Sequence, residues 1–163
     1  MQPHSATFRL PGDDASDAAA LRSRALQLAH ASQAGLAATL LRGKNIGLLS
    51  TGDDAVGDGT LLLHAAAGLG AHVARLPSSL GEDSPPQEVD HTARMLGRLY
   101  DAVVCQGLPA ALVRRIRDSA GVPVLDGTTS WDHAASLLAQ VEPNPGQDPR
   151  RFAVQAALFA AMS

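Results

Sequence analysis

The sequence predicts an α/β domain with three layers, in which a central parallel sheet of about four strands is covered by helices on both faces. A further amphipathic helix follows at the end of the chain. Three observations predict this. Short apolar runs, IGLLS (46–50), AHVARL (71–76), DAVVCQ (101–106) and VPVLDG (122–127), recur along the chain and are too short for helices. Segments of helical periodicity alternate with them, as right-handed βαβ crossovers require. The last apolar helix breaks the rhythm, because no strand precedes it.

The elements follow in order. Asp14 or Ser16 can cap a helix over 15–36, in which Leu21, Leu26, Leu28 and Leu36 recur loosely at helical spacing. After the first strand comes the Gly/Asp loop TGDDAVGDG (51–59), then TLLLHAAAGL (60–69), a helix that Gly70 can terminate. PSSLGEDSPP (77–86) reads as an exposed loop. QEVDHTARMLGRLY (87–100) places Val89, Ala93, Leu96 and Tyr100 on one helical face. PAALVRRIRDSAG (109–121) and WDHAASLLAQV (131–141) are further helices, the second capped by Ser130. A first unit therefore covers 1–141, EPNPGQDP supplies a Pro/Gly link over 142–149, and residues 150–163 form the final helix.

Composition excludes several classes. The 163 residues carry 13 Lys and Arg against 16 Asp and Glu, a net charge of -3, with 45% hydrophobic and 3% aromatic residues. That balance excludes disorder and makes nucleic acid an unexpected partner. No apolar run is long enough to span a membrane, and the opening residues lack the pattern of a secretory signal. Cys105 is the only cysteine, which rules out internal disulfides and Cys-based zinc sites and fits a reducing cytoplasm. It lies inside an apolar strand and reads as a core residue. Neither a metal nor a cofactor is expected.

In parallel sheets ligands bind beyond the carboxyl ends of the strands, so the loops 51–59, 77–86, 106–108 and 126–132 matter most. A Gly-rich turn into a helix exposes N–H groups suited to an anion. Here, however, it carries Asp53, Asp54 and Asp58, which repel a phosphate and are explained by helix capping or by a cation. His133, in the first turn of its helix, can donate a hydrogen bond to a carbonyl oxygen. His64, His72 and His91 show no spacing that makes a metal site.

Taken together, LLRGKNIGLLS (40–50), LGAHVARL (69–76), DHTARMLGRLYDAVVCQG (90–107) and VPVLDGTTSWDHAASLLAQ (122–140) resemble the aspartate/ornithine carbamoyltransferase family, most closely the ornithine type. They occur in family order and at family spacing. The resemblance is to the family's amino-terminal, carbamoyl-phosphate-binding domain, a parallel sheet flanked by helices.

The departures from the family pattern bear on function. Its phosphate motif Ser-Thr-Arg-Thr-Arg would fall at about 54–59, where this chain reads DAVGDG and has no Arg in either possible register. The family Arg after the DAVVC-type strand corresponds to Gln106. In the His-Pro-x-Gln segment, His133 is kept, while Ala134 and Ser136 replace Pro and Gln. Thr92, Ala93 and Arg94 are retained, with His91 in place of the family Asp. In the family a second domain, carrying the amino-acid site, stands where this chain has only the link 142–149, and the resemblance implies that the final helix, 150–163, packs back on the first domain.

The resemblance therefore implies a truncated, carbamoyltransferase-like protein impaired in catalysis, with a role in binding or assembly. The family's trimers imply a homo-oligomer, or association with an intact carbamoyltransferase. Two alternatives stand beside it: a carbamoyltransferase completed by a partner or neighbouring subunit, and a module for a changed small ligand or cation. Asp53, Asp54, Asp58, Gln106, His133 and Ser136 are the candidate binding residues, with His133 the candidate for catalysis.

Overall fold

In a computed structural model, residues 15–50, 58–127, 136, 138 and 148–162 are described. Four strands form one parallel sheet: β1 (Asn45–Ser50), β2 (His72–Pro77), β3 (Ala102–Gln106) and β4 (Val124–Asp126). Their order across the sheet is β2-β1-β3-β4, so β1 and β3 are central. The register pairs Ile46 with Ala102 and Ser50 with Gln106, which brings the carboxyl ends of the two central strands level. At the opposite end, the Asp101 carboxylate accepts the Asn45 N–H at 2.8 Å, and the Asp101 N–H returns a bond to the Asn45 carbonyl at 2.8 Å.

Helices α1 (Ala15–Gln33), α2 (Asp58–Gly68), α3 (Pro86–Leu99), α4 (Ala110–Ala120) and α5 (Pro149–Met162) complete the described elements, with a short 3-10 turn at Ala37–Thr39. Alternate side chains of a strand point to opposite faces, and two cores result. Ile46, Leu48, Val104 and Leu125 pack with Leu21, Ala25 and Leu28 of α1, Leu62 of α2 and most of α5. Leu49, Val103, Cys105 and Val124 pack with Val89, Ala93 and Leu96 of α3 and Leu112, Val113 and Ile116 of α4. The expected three layers are present.

Helix α5 is the layer that periodicity describes least well. Every residue from Phe152 to Phe159 is buried, because α1 and α2 both pack against it. Its one polar residue in that stretch, Gln155, donates from Nε2 to the Ala65 carbonyl of α2 at 3.1 Å. Close approach there depends on Gly68, since a Cβ at that position would stand 2.6 Å from Gln155 Nε2 and 2.8 Å from an Arg151 guanidinium nitrogen. The Arg24 guanidinium of α1 lies 5.3 Å from the centre of the Phe159 ring, a cation–π contact.

Three details differ from the sequence reading. Helix α1 ends at Gln33, and Leu26 and Leu36 are exposed. The buried stripe is Leu21, Ala25 and Leu28, spaced i, i+4, i+7, which leaves Leu26 on another face. Leu36 follows Gly35, whose φ of 73° ends the helical run. The 77–86 loop is not exposed throughout, since Leu80 is tucked into the core beneath α3 and α4. Finally, α2 begins two residues early, at Asp58. Gly70 has the positive φ, 87°, expected of a helix terminator.

Candidate functional site

A parallel sheet with βαβ crossovers sends each strand's carboxyl end into a loop that starts the next helix. Those loops and helix N-termini therefore share one edge. Here the edge is lined by the strand ends Ser50, Pro77, Gln106 and Asp126. Gly107, with φ 75°, makes the turn that leaves β3.

Strand parity decides which of these residues share a face. Ser50 follows Ile46 and Leu48, and Gln106 follows Val104, so both point toward the layer of α1, α2 and α5. They are register partners on adjacent strands, which places them about 4.8 Å apart along the hydrogen-bonding direction. Helix α2 packs on that face through Leu62, Ala65 and Ala66. It runs back from the carboxyl edge to the amino edge, so its N-terminus lies at the same edge as Ser50 and Gln106. Asp126 follows Val124 with the opposite parity, and faces the layer of α3 and α4.

Gln106 is 8% exposed, and apart from Gln155 it is the only buried polar or charged side chain among the described residues. Gln155 has its bond to α2. Gln106 makes no side-chain hydrogen bond among the described residues, and neither does the half-buried Ser50. The one fully buried side-chain polar atom without a partner among the described residues is Arg151 Nε. The residual exposure of Gln106 therefore falls on its amide.

Cys105, one residue earlier, is sealed in the other core. Burial pushes its thiol up to about 12, the Asp126 charge adds to that, and Arg117 works weakly against it. A thiol so held is not a nucleophile near neutral pH. Arg117 spends its Nε on the Val124 carbonyl at 3.2 Å.

Of the candidates read from sequence, Gln106 and the start of α2 at Asp58 come together at the carboxyl edge. Ser136 is an exposed helical residue. Asp53, Asp54 and His133 lie outside the described residues. Ser50 was missed by sequence reasoning. Its signal was available: a hydroxyl residue closing an apolar strand next to the strand that ends in Gln106. Among the described residues no group of three His, Cys, Asp or Glu side chains could hold a metal ion, and His64, His72 and His91 are exposed.

No family model matches the chain. Curated relatives do: an ornithine carbamoyltransferase of Actinobacillus pleuropneumoniae is 33% identical over 114 residues, covering 70% of this chain and 34% of the relative. One from Cutibacterium acnes is 34% identical over 115 residues, covering 71% and 34%. Among solved structures, an ornithine carbamoyltransferase from Pyrococcus furiosus superposes with a TM-score of 0.64 at 21% identity, over 79% of this chain and 42% of that one. The chain belongs to the carbamoyltransferase family. It matches over the part that forms the amino-terminal domain, and it spans about a third of the length of the curated relatives.

The charges of these strand-end loops are one-sided. No Arg or Lys occurs between Lys44 and Arg75, or between Arg117 and Arg150, and Gln106 is followed by seven uncharged residues. The strand-end loops instead contain Asp53, Asp54, Asp58, Glu82, Asp83, Asp126 and Asp132. No helix among the described residues is long and apolar enough to cross a membrane.

Proposed function

We propose that this chain is a carbamoyltransferase-like protein that does not itself transfer a carbamoyl group and acts in binding or assembly. One observation carries the reading: the strand-end loops 51–59, 77–86, 106–108 and 126–132 contain no Arg or Lys in the sequence, and Gln106 ends a central strand where the family resemblance calls for Arg. Carbamoyl phosphate is a dianion whose recognition relies on charge-assisted contacts worth about 1.5–3 kcal/mol each. Losing two or three of them lowers affinity by about three powers of ten or more. The aspartates of the 51–59 loop add repulsion.

Chemistry of this kind is largely positioning of an amine against a polarised carbonyl. The resemblance puts the amine-binding domain where this chain has the link 142–149 and then α5. That α5 packs on α1 and α2, in one core with Leu138, supports a direct connection from the first unit to this helix. Its partners in assembly are further copies of this chain or an intact carbamoyltransferase.

Isothermal titration with carbamoyl phosphate tests the reading. No heat of binding is expected up to millimolar ligand, and micromolar binding would overturn the proposal. Size measurement by light scattering, alone and mixed with an ornithine carbamoyltransferase, reads the assembly part, and a monomer in both cases would remove it.

A further inference from the structure

We propose that β2, an outer strand of the sheet, pairs antiparallel with β2 of a second copy of this chain, across a two-fold axis that passes through the sheet at Ala74. This rests on the reading above that the chain acts in assembly, and it deepens that reading by naming the surface and the partner.

β2 stands at one end of the strand order, and among the described residues only β1 pairs with it. The His72 N–H bonds to the Lys44 carbonyl and the Ser78 N–H to the Ser50 carbonyl, each at 2.9 Å. In a parallel pair alternate residues of a strand bond to the same neighbour, so His72, Ala74 and Leu76 bond to β1. Val73 and Arg75 each turn an N–H and a carbonyl away from the sheet, and these have no partner among the described residues. Pro77, the next residue of that parity, has no N–H. On the other side, the Ala71 N–H is already bonded to the Ala66 carbonyl at 3.0 Å. The open edge is therefore short and closed at both ends.

That limit selects the partner. A two-fold axis at Ala74 sets Val73 of each copy against Arg75 of the other. Facing residues of this kind exchange two hydrogen bonds, so every outward group of Val73 and Arg75 is paired. Moving the axis to Val73 leaves the Arg75 carbonyl facing the Ala71 N–H, which is taken. Moving it to Arg75 leaves the Val73 carbonyl facing Pro77 and sets like charges directly opposite, which is unfavourable. At the axis itself the Cα atoms approach to about 4.5 Å, and Ala74 brings only a methyl group there. A longer foreign strand gains no further bonds, because Ala71 and Pro77 end the ladder for it as well. A second copy closes two open edges at once.

The exposed side chains agree. No residue of β2 is buried, although Leu76 packs at the margin of the α3 and α4 layer. Asp90 and Gly97 mark the flank of α3 that faces α4, through the bonds to Arg115 and Ser119 and the close approach of Ala120. Helix α4 packs against β4, at the far end of the sheet from β2. Met95 and Leu99 lie about 140–180° round the helix from Asp90, on the flank toward β2, and are 46% and 61% exposed. An axis through the sheet keeps both α3 helices on one face. The two apolar flanks then border the joined strands, with Ala74 and Leu76 of both copies between them.

Sedimentation velocity of the full chain over about 1–500 µM tests the inference. A dimer with a Kd of about 1–100 µM is expected, as suits a small interface. Ala74→Cys should form a disulfide-linked dimer under oxidised glutathione at least about tenfold faster than Gln27→Cys, an exposed control on α1. The native Cys105 is buried and does not compete. Arg75→Pro removes one outward donor from each copy without touching a bond to β1, and should raise the dimer Kd at least about tenfold. If Arg75→Pro does not fold, Ala74→Lys, which sets two charges at the axis, serves in its place. A wild-type chain still monomeric at about 500 µM, an oligomer that both substitutions leave unmoved, or cross-linking no faster at position 74 than at 27 would each overturn the inference. An oligomer of another geometry, or a monomer that still joins an ornithine carbamoyltransferase, leaves the assembly reading standing. A monomer that joins neither overturns both.

Discussion

Gly97→Ala is the smallest change that should loosen the layer of α3 and α4. A Cβ at Gly97 would overlap the carbonyl oxygen of Ala120, and would stand 2.9 Å from that carbonyl carbon and 3.5 Å from the Ala120 Cα. Nonbonded carbons prefer about 3.5–4.0 Å. The obstruction is backbone, so no rotamer change relieves it, and the two helices must separate. Separation loosens Val89, Ala93 and Leu96 from Leu112, Val113 and Ile116. It also stretches the Asp90 bonds to Arg115 (3.2 Å) and Ser119 (3.0 Å), which cross the same interface. Overpacking of a core costs about 1–3 kcal/mol, and backbone obstruction belongs at the upper end. Alanine's better helix propensity returns about 1 kcal/mol. The net loss is about 2 kcal/mol, or about 4–8 °C in Tm for a chain of this length. Thermal and urea unfolding measure it, with Gly81→Ala as a control, because nothing lies within 4 Å of a Cβ there. A Gly97→Ala midpoint equal to or above the wild type would refute the close approach of α3 to Ala120.

The other expectations are more local. Phe152→Ala, in the buried stretch Phe152–Phe159 of α5, should cost about 3–5 kcal/mol by urea unfolding; a loss below about 1 kcal/mol would contradict the burial of that stretch. Cys105 should resist a thiol reagent at about pH 8 in the native chain and react at once in guanidinium. Its raised pKa makes its contribution to stability full below its ordinary value of 9.0 and lost as pH rises toward about 12, so the difference between wild type and Cys105→Ala should shrink over that window. Asp90 behaves oppositely: the hydrogen bond from Arg115, then that from Ser119, hold its carboxyl below 3.8. Its contribution is therefore present above 3.8 and lost as pH falls through the lower folded value, and Asp90→Asn should flatten that limb of the urea midpoint. Gln106→Arg should lower Tm in phosphate-free buffer and regain part of the loss in phosphate; an unchanged Tm would show that the edge tolerates a buried cation.

Most of the fold was legible because it rests on patterns of short range. The strands at 46–50, 71–76, 101–106 and 122–127 differ from those observed by at most two residues at either end. Val89, Ala93 and Leu96 form the buried face of α3 as their spacing requires. What could not be read depends on contacts distant in sequence. Nothing local in RRFAVQAALFAAM says that the stretch from Phe152 to Phe159 is buried all round, since this follows from α1 and α2 closing on it together. Nor does the sequence show that Gly97 and Gly68 are small because another backbone or side chain occupies their space. At the site, Gln106 was visible through the family resemblance. Ser50 was not, because its importance arises only from its register against Gln106.

That register also sets the polar strand ends apart from the packing of the strands. The core against α1, α2 and α5 takes Ile46, Leu48, Val104 and Leu125 from the strands, all short of the strand ends, while the other core extends to Leu80 and Leu108 in the carboxyl-edge loops. Basic side chains at the edge would add nothing to either core. An Arg in the place of Gln106 would be a buried cation near the positive end of a helix, stable there only with an anion beside it. Glutamine removes that dependence: it can be buried at the lower cost of a neutral amide, and here it is buried. The scaffold is thus indifferent to whether the edge binds an anion, while the edge itself is not neutral in its preferences. An amide beside a hydroxyl, with carboxylates in the surrounding loops, is a poor place for a phosphate.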